Sequence, residues 1–136
     1  MIRAVIDTNV LVSAFRTHNP DSPTVCVFYA MLRGEFLALH SPGILAEYED
    51  VLHRDKFSFD RDRVDEIIDF IRTHGENISP VESAEFFPDP DDKIFYCTAL
   101  AARDDEAFLV TGNVRHFPAS DFILTPSEFA ALLENA

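Results

Sequence analysis

Acidic side chains stand at three separated places where they could act together: Asp7 in AVIDTNVL, Glu47 in SPGILAEYEDVL and Asp92 at the end of FPDPDD. A fourth polar place, VTGNVRHFP, carries an amide, Asn113, instead of an acid. Carboxylates gathered at one site repel each other unless protons or cations intervene. Their hard oxygens suit Mg²⁺ or Mn²⁺, ions that keep waters and accept phosphate oxygens. Such an ion lowers the pKa of a bound water, orients it for in-line attack and stabilises charge on a phosphodiester. Plainer readings exist for each acid. An Asp at a strand-to-helix junction, as Asp7 is expected to be, is commonly an N-cap. Asp89, Asp91 and Asp92 suit the dipole at a helix N-terminus, although one acid would suffice for that. Glu47 borders an apolar helical stripe of Ile44, Tyr48, Val51 and Leu52. It therefore needs a partner, which periodicity leaves open between an arginine and a divalent cation.

The elements that must position these groups follow from the hydrophobic pattern. Ile2 to Ile6 reads as a strand ending at Asp7, and Thr8 to Phe15 as a helix. A mostly buried helix is expected from Thr24 to Arg33, closed by Gly34. A strand follows over Phe36 to His40, then a helix from Ser41 and Pro42 through about His53. Val64, Ile67, Ile68 and Ile71 mark the buried face of a helix from Asp60 to His74, ended by Gly75. Asn77 to Val81 is a weak strand, and Glu85 to Asp92 a Pro- and Asp-rich loop. From Asp91, DDKIFYCTALAAR turns helical and apolar nearly all round, the pattern of a helix buried on most sides. Ala107 to Val110 and Phe122 to Leu124 are later strands, and Ser127 to Glu134 is a closing helix behind Pro126. Alternating strands and helices predict an α/β domain with a central, mainly parallel sheet. In such a sheet ligands collect at the carboxyl ends of the strands. Asp7 and the Thr111-Gly112-Asn113 turn sit at such ends, and the start of the Asp92 helix suits the same edge.

Length and composition bound the answer. The 136 residues, 47% hydrophobic with 13 Phe, suffice for one globular domain with a packed core. Cys26 and Cys97 lie in apolar runs without C-x-x-C spacing, and both read as reduced core residues of a cytoplasmic protein. The N-terminus is interrupted too early by Asp7 for a signal peptide, and no stretch approaches the roughly 18 apolar residues of a membrane span. The formal charge of −13 repels polyanions, so a nucleic-acid substrate requires local basic groups or bound cations. Arg54, Lys56, Arg61 and Arg63 are the only local concentration of basic residues. They read equally as a solvated loop or as phosphate contacts.

AVIDTNVLVSAF, SPGILAEYEDVL, DPDDKIFYCTALAA and FLVTGNVRHFP, in this order, resemble the signature blocks of the PIN domain. They are most similar to the VapC-like toxins of prokaryotic toxin–antitoxin pairs. The resemblance spans essentially the whole chain and implies a Mg²⁺- or Mn²⁺-dependent ribonuclease. It carries the family's acids onto Asp7, Glu47 and Asp92 as catalytic and metal-binding residues, with Asp89 close enough to exchange registers with Asp92. The fourth position, often Asp after a Thr-Gly pair, is Asn113 here. An amide oxygen still binds a metal or its water, but it brings no charge and cannot serve as a general base. Thr8, Asn9 and Thr111 would support the ligands, and Arg16, Arg54, Arg115 and His116 are candidates for contacting RNA. The resemblance also implies a homodimer and a cognate antitoxin that blocks the cleft. Set beside this is a catalytically weak module of the same fold that binds RNA or protein, favoured by Asn113 and the acidic charge. A phosphatase of the haloacid dehalogenase type would want D-x-D where DTN stands. A dinucleotide enzyme would want G-x-G-x-x-G after the first strand, which is absent.

Overall fold

The computed structural model describes residues 1–136. Five strands form one parallel sheet: β1 (Arg3–Ile6), β2 (Leu37–His40), β3 (Glu76–Asn77), β4 (Phe108–Val110) and β5 (Ile123–Leu124), in the order β3-β2-β1-β4-β5. Parallel neighbours need crossovers, and the helices supply them. They are α1 (Thr8–Arg16), α2 (Pro23–Leu32), α3 (Pro42–Leu52), α4 (Arg61–His74), α5 (Lys93–Ala101) and α6 (Pro126–Glu134). The central strand β1 pairs with β2 on one side and β4 on the other, so strand order reverses beside it. That reversal opens a crevice at the carboxyl end of β1, where Asp7 stands. No helix is long and apolar enough to cross a membrane.

Local sequence explains most boundaries. Ser41 caps α3 by accepting from the Ile44 N–H, Asp60 caps α4 by accepting from the Asp62 N–H, and Thr125 forms a reciprocal capping box with Glu128 on α6. Gly34, with φ of 72°, takes the left-handed conformation after α2 that other residues avoid. Gly75 answers a different need. A β-carbon there would collide with the Ala38 and Ile71 carbonyl oxygens, so only glycine lets α4 end against β2.

The core is continuous from both faces of the sheet. Val5, Ile6, Leu39 and Leu109 from the strands meet Leu11, Ile44, Tyr48, Ile71, Phe95 and Phe129 from the helices, all at most 2% exposed. Two expectations are corrected here. The third strand is Glu76–Asn77 and not 77 to 81, because only Leu39 and His40 on β2 remain to pair with it. Cys97 is buried, but Cys26 is exposed. The apolar run of α2 leaves one stripe uncovered, and Cys26, Tyr29 and Arg33 occupy it.

Candidate active site

Asp7 follows β1 and precedes α1 in the N-cap position, yet its side chain makes no capping hydrogen bond. Its Oδ2 instead accepts from the Thr111 hydroxyl at 2.7 Å and from the Asn9 amide at 3.1 Å. The Asn9 Oδ1 accepts from the Gly112 N–H at 3.1 Å, and the Thr111 Oγ1 accepts from the Asn113 N–H at 3.0 Å. Thr8 and Asn9 open α1 while Thr111 to Asn113 follow β4, so this network ties the ends of two adjacent strands together. Asn9 and Thr111 thereby fix one oxygen of Asp7, and Oδ1 keeps no side-chain donor. Tyr48 on α3 donates its hydroxyl to the Ile6 carbonyl beneath Asp7. Burial, with the Asp7 charge second, holds that phenol well above its ordinary range.

Asp92 closes a 3-10 turn, Pro90–Asp92, whose entry is held by Asp89 accepting from the Asp91 N–H at 3.0 Å. The turn delivers Asp92 to the start of α5 without using it as a side-chain cap. Its Oδ2 is buried and has no hydrogen-bond partner; the His116 ring nitrogen Nδ1 lies 3.6 Å away. Burial, then the charges of Asp7 and Asp89, pushes the Asp92 carboxyl up to about 6 against an attraction from His116. Asp7 is also raised, chiefly by burial, although its bond from Thr111 opposes the shift. Glu47 on α3 is raised first by burial and then by Asp91 and Asp50, with Arg54 pulling the other way. Asp7 and Asp92 therefore share a field, and Glu47 enters it from the side of Asp89 and Asp91. The Thr8 hydroxyl oxygen, also buried, has no partner.

Mutual repulsion among carboxylates taken out of water is costly unless a cation is present. The donor set of Asp7, Glu47, Asp92, the unpartnered Thr8 oxygen and the exposed Asn113 amide consists of hard oxygens. Mg²⁺ or Mn²⁺ fits such donors. The side-chain oxygens of Asp7, Glu47 and Asp92 do not all lie within 4.8 Å of one another. The one trio that meets this distance is Glu49, His53 and Asp65, elsewhere on α3 and α4. An ion at the crevice would thus reach some of its ligands through waters, as Mg²⁺ commonly does.

The chain has a detectable family. A model of the PIN domain matches residues 3–115. The chain belongs to the PIN domain family. Asp7, Glu47 and Asp92 all lie within the matched span. Nothing matches among the curated proteins. Among solved structures, the PIN chain is similar to VapBC2 from Rickettsia felis, crystallised bound to a DNA fragment from their promoter. The TM-score is 0.55 at 18% identity, over 90% of this chain and 97% of that one. That likeness speaks for the fold.

The four candidate RNA contacts are not gathered in one place. His116 and Arg115 share a 3-10 turn, Val114–His116, beside Asp92, and Arg115 is exposed. Arg54 is already paired with Asp50 at 2.9 Å. Arg16 is the last residue of α1, about 12 Å along the axis from Thr8 at the usual helical rise. Two features escape a reading of the sequence: the Asp92–His116 approach, which joins residues 24 positions apart, and Asp91 as the charge that acts most strongly on Glu47. The only advance signal for Asp91 was the run of acids itself.

Proposed function

We propose that this PIN-family chain is, over residues 1–136, a single-domain Mg²⁺- or Mn²⁺-dependent endoribonuclease and the toxin half of a toxin–antitoxin pair. The observation that carries the proposal is the buried, unpartnered Asp92 Oδ2 in the field of Asp7 and Asp89. An oxygen left bare in a repulsive field, where the same carboxyl could have capped α5, is costly unless a cation completes it. Asp7, Glu47 and Asp92 would hold that ion, and Asn113 would offer a neutral fourth donor. When bound, the ion supplies charge neutralisation at the scissile phosphate and a more acidic water.

The chain's own residues prepare the rest. Thr111 and Asn9 lock the Asp7 rotamer, so the carboxylate need not reorganise when the ion arrives. Asp89 stiffens the turn that carries Asp92. His116 stands beside Asp92 and, with Arg115 on the same turn, would contact a substrate phosphate. A cognate antitoxin as partner is supported by the VapBC2 complex among structures of the same fold. The acidic surface would suit a basic segment of that partner. A homodimer and a cytoplasmic location belong to the same reading.

The second reading, a PIN-fold module that binds RNA or protein without cutting, draws on Asn113 and the charge of −13. Labelled single-stranded RNA separates the two. Purified protein is expected to cut it with Mg²⁺ or Mn²⁺ and not with chelator. Asp7→Asn and Asp92→Asn are each expected to slow cutting at least about 100-fold, the scale of losing a preorganised charged group. Full activity in both variants would remove the proposed site, and no cutting of any RNA tried would favour the binding module.

A further inference from the structure

Away from the crevice, five aromatic rings follow one another in an unbroken row. Phe57 stacks on Phe59 with centroids 5.2 Å apart and planes 6° from parallel. Phe59 lies 5.2 Å from Phe15, Phe15 lies 5.7 Å from Phe28, and Phe28 lies 5.6 Å from Tyr29. Tyr29 is 45% exposed, and Phe57 and Phe59 are half-buried. Beside the row runs a groove of about 500 Å³, whose walls include Phe15, Phe28, Tyr29, Phe59 and Arg63.

Basic side chains gather around this row. Lys56 Nζ lies 5.1 Å, and the Arg16 guanidinium carbon 5.9 Å, from the centroid of the Phe57 ring. Arg61 and Arg63 follow in the first turn of α4. In a protein with 24 acids against 11 basic residues, none of these four cations has a carboxylate within 4.0 Å. The one acid lining the groove, Asp60, is committed to capping α4. Unneutralised cations set on aromatic faces match single-stranded nucleic acid, which presents a phosphate and a flat base at every step.

We propose that Phe57 and Phe59, with Arg16, Lys56 and Arg63, form a stacking subsite for a base of single-stranded RNA, remote from the cutting site. The proposal rests on the RNA reading above and names where the strand is held. Phe57 is only half-buried, so part of its ring is open to a base. The flexible Lys56 ammonium can exchange that face for the neighbouring phosphate. Arg16 and the acid crevice lie at opposite ends of α1. By the helical rise, roughly 12 Å separates them along the helix axis. The enzyme would therefore bind a strand longer than the bond it cuts.

The chain has no tryptophan, so Phe57→Trp places a single reporter in the row. The full chain carrying Phe57→Trp is titrated in chelator, where cutting cannot occur, with a 12-nucleotide RNA and with an abasic ribose-phosphate chain of equal charge. Quenching by the RNA and not by the abasic chain is expected, with Phe57→Leu in the otherwise native protein weakening RNA binding about tenfold. A melting curve for Phe57→Leu close to that of the parent keeps the comparison valid. Equal quenching by both chains, or none by either, overturns the subsite whether or not the protein cuts RNA. Base-dependent quenching without any metal-dependent cutting would uphold the subsite and remove the nuclease reading.

Discussion

Two groups of acids in this protein differ in a way that proximity alone would misjudge. Glu49, His53 and Asp65 bring ligand atoms within 4.8 Å of one another, whereas Asp7, Glu47 and Asp92 do not. Yet the carboxylates of the tighter group need no ion: His53 Nε2 meets Asp65 Oδ1 at 2.7 Å, Glu49 and Asp65 are exposed to water, and the one buried atom without a partner is the His53 ring nitrogen Nδ1. That arrangement is a helix-to-helix bridge between α3 and α4. The looser group is partly buried, Asp7 raises the proton affinity of Asp92 while Asp89 raises that of all three acids, and one carboxylate oxygen has no partner. Unmet electrostatic demand, more than closeness, marks the place where a cation is wanted.

The strongest way to break this contrast is to remove the demand. A carboxyl whose native pKa lies above its unfolded value favours the folded state in acid. For Asp92, ordinarily near 3.8 and here about 6, that stabilisation is complete below 3.8 and is lost as the pH rises through about 6. At neutral pH in chelator, Asp92→Asn should therefore stabilise the fold, by on the order of 2 kcal/mol. Denaturant titrations at pH 7.5 and at pH 4 would show it, with the difference from the parent shrinking at the lower pH. Added Mg²⁺ should stabilise the parent more than the variant. A variant less stable than the parent at pH 7.5 would mean that the Asp92 charge is compensated within the chain.

A smaller effect sharpens the fourth corner. Asn113→Asp adds a charge at an exposed position, so metal binding should tighten roughly fivefold, the scale of about 1 kcal/mol for a partly screened charge. Calorimetric titration with Mn²⁺ measures it; an unchanged affinity would place Asn113 in a turn that does not face the ion. The least effect belongs to the group whose carboxylates are open to water. Asp65→Asn should cost about 0.5 kcal/mol, reduced further by salt, and leave Mn²⁺ affinity untouched. Loss of metal affinity in that variant would transfer the site to α3 and α4.

Much of the architecture was legible because its signals are local. Ser41 and Asp60 announced helix starts through side chains that reach backbone N–H groups a few residues on, and Pro126 marked the start of α6. The Val64 to Ile71 periodicity likewise identified the buried face of α4. The failures have a different origin. β3 is two residues long because its partner β2 runs out, and no property of residues 78 to 81 reports where another strand ends. Cys26 sits in an apolar run yet faces water, since which stripe of a largely apolar helix is covered depends on what packs there. The five-ring row was invisible for the same reason: Phe15, Phe28 and Phe57 belong to separate elements.

The amino-acid sequence by itself determined the alternation of strands and helices, the acids Asp7, Glu47 and Asp92, and an amide at position 113. These are properties of residue type and short-range spacing. Only the tertiary structure decided that Asp7 is held by Thr111 and Asn9 instead of capping α1, and that Asp92 is left with a bare oxygen beside His116. It also decided that Arg16 and Lys56 come to lie over the Phe57 ring without a carboxylate partner. Burial, desolvation and charge pairing are sums over neighbours distant in the chain, and they acquire values only when the sheet has brought those neighbours together.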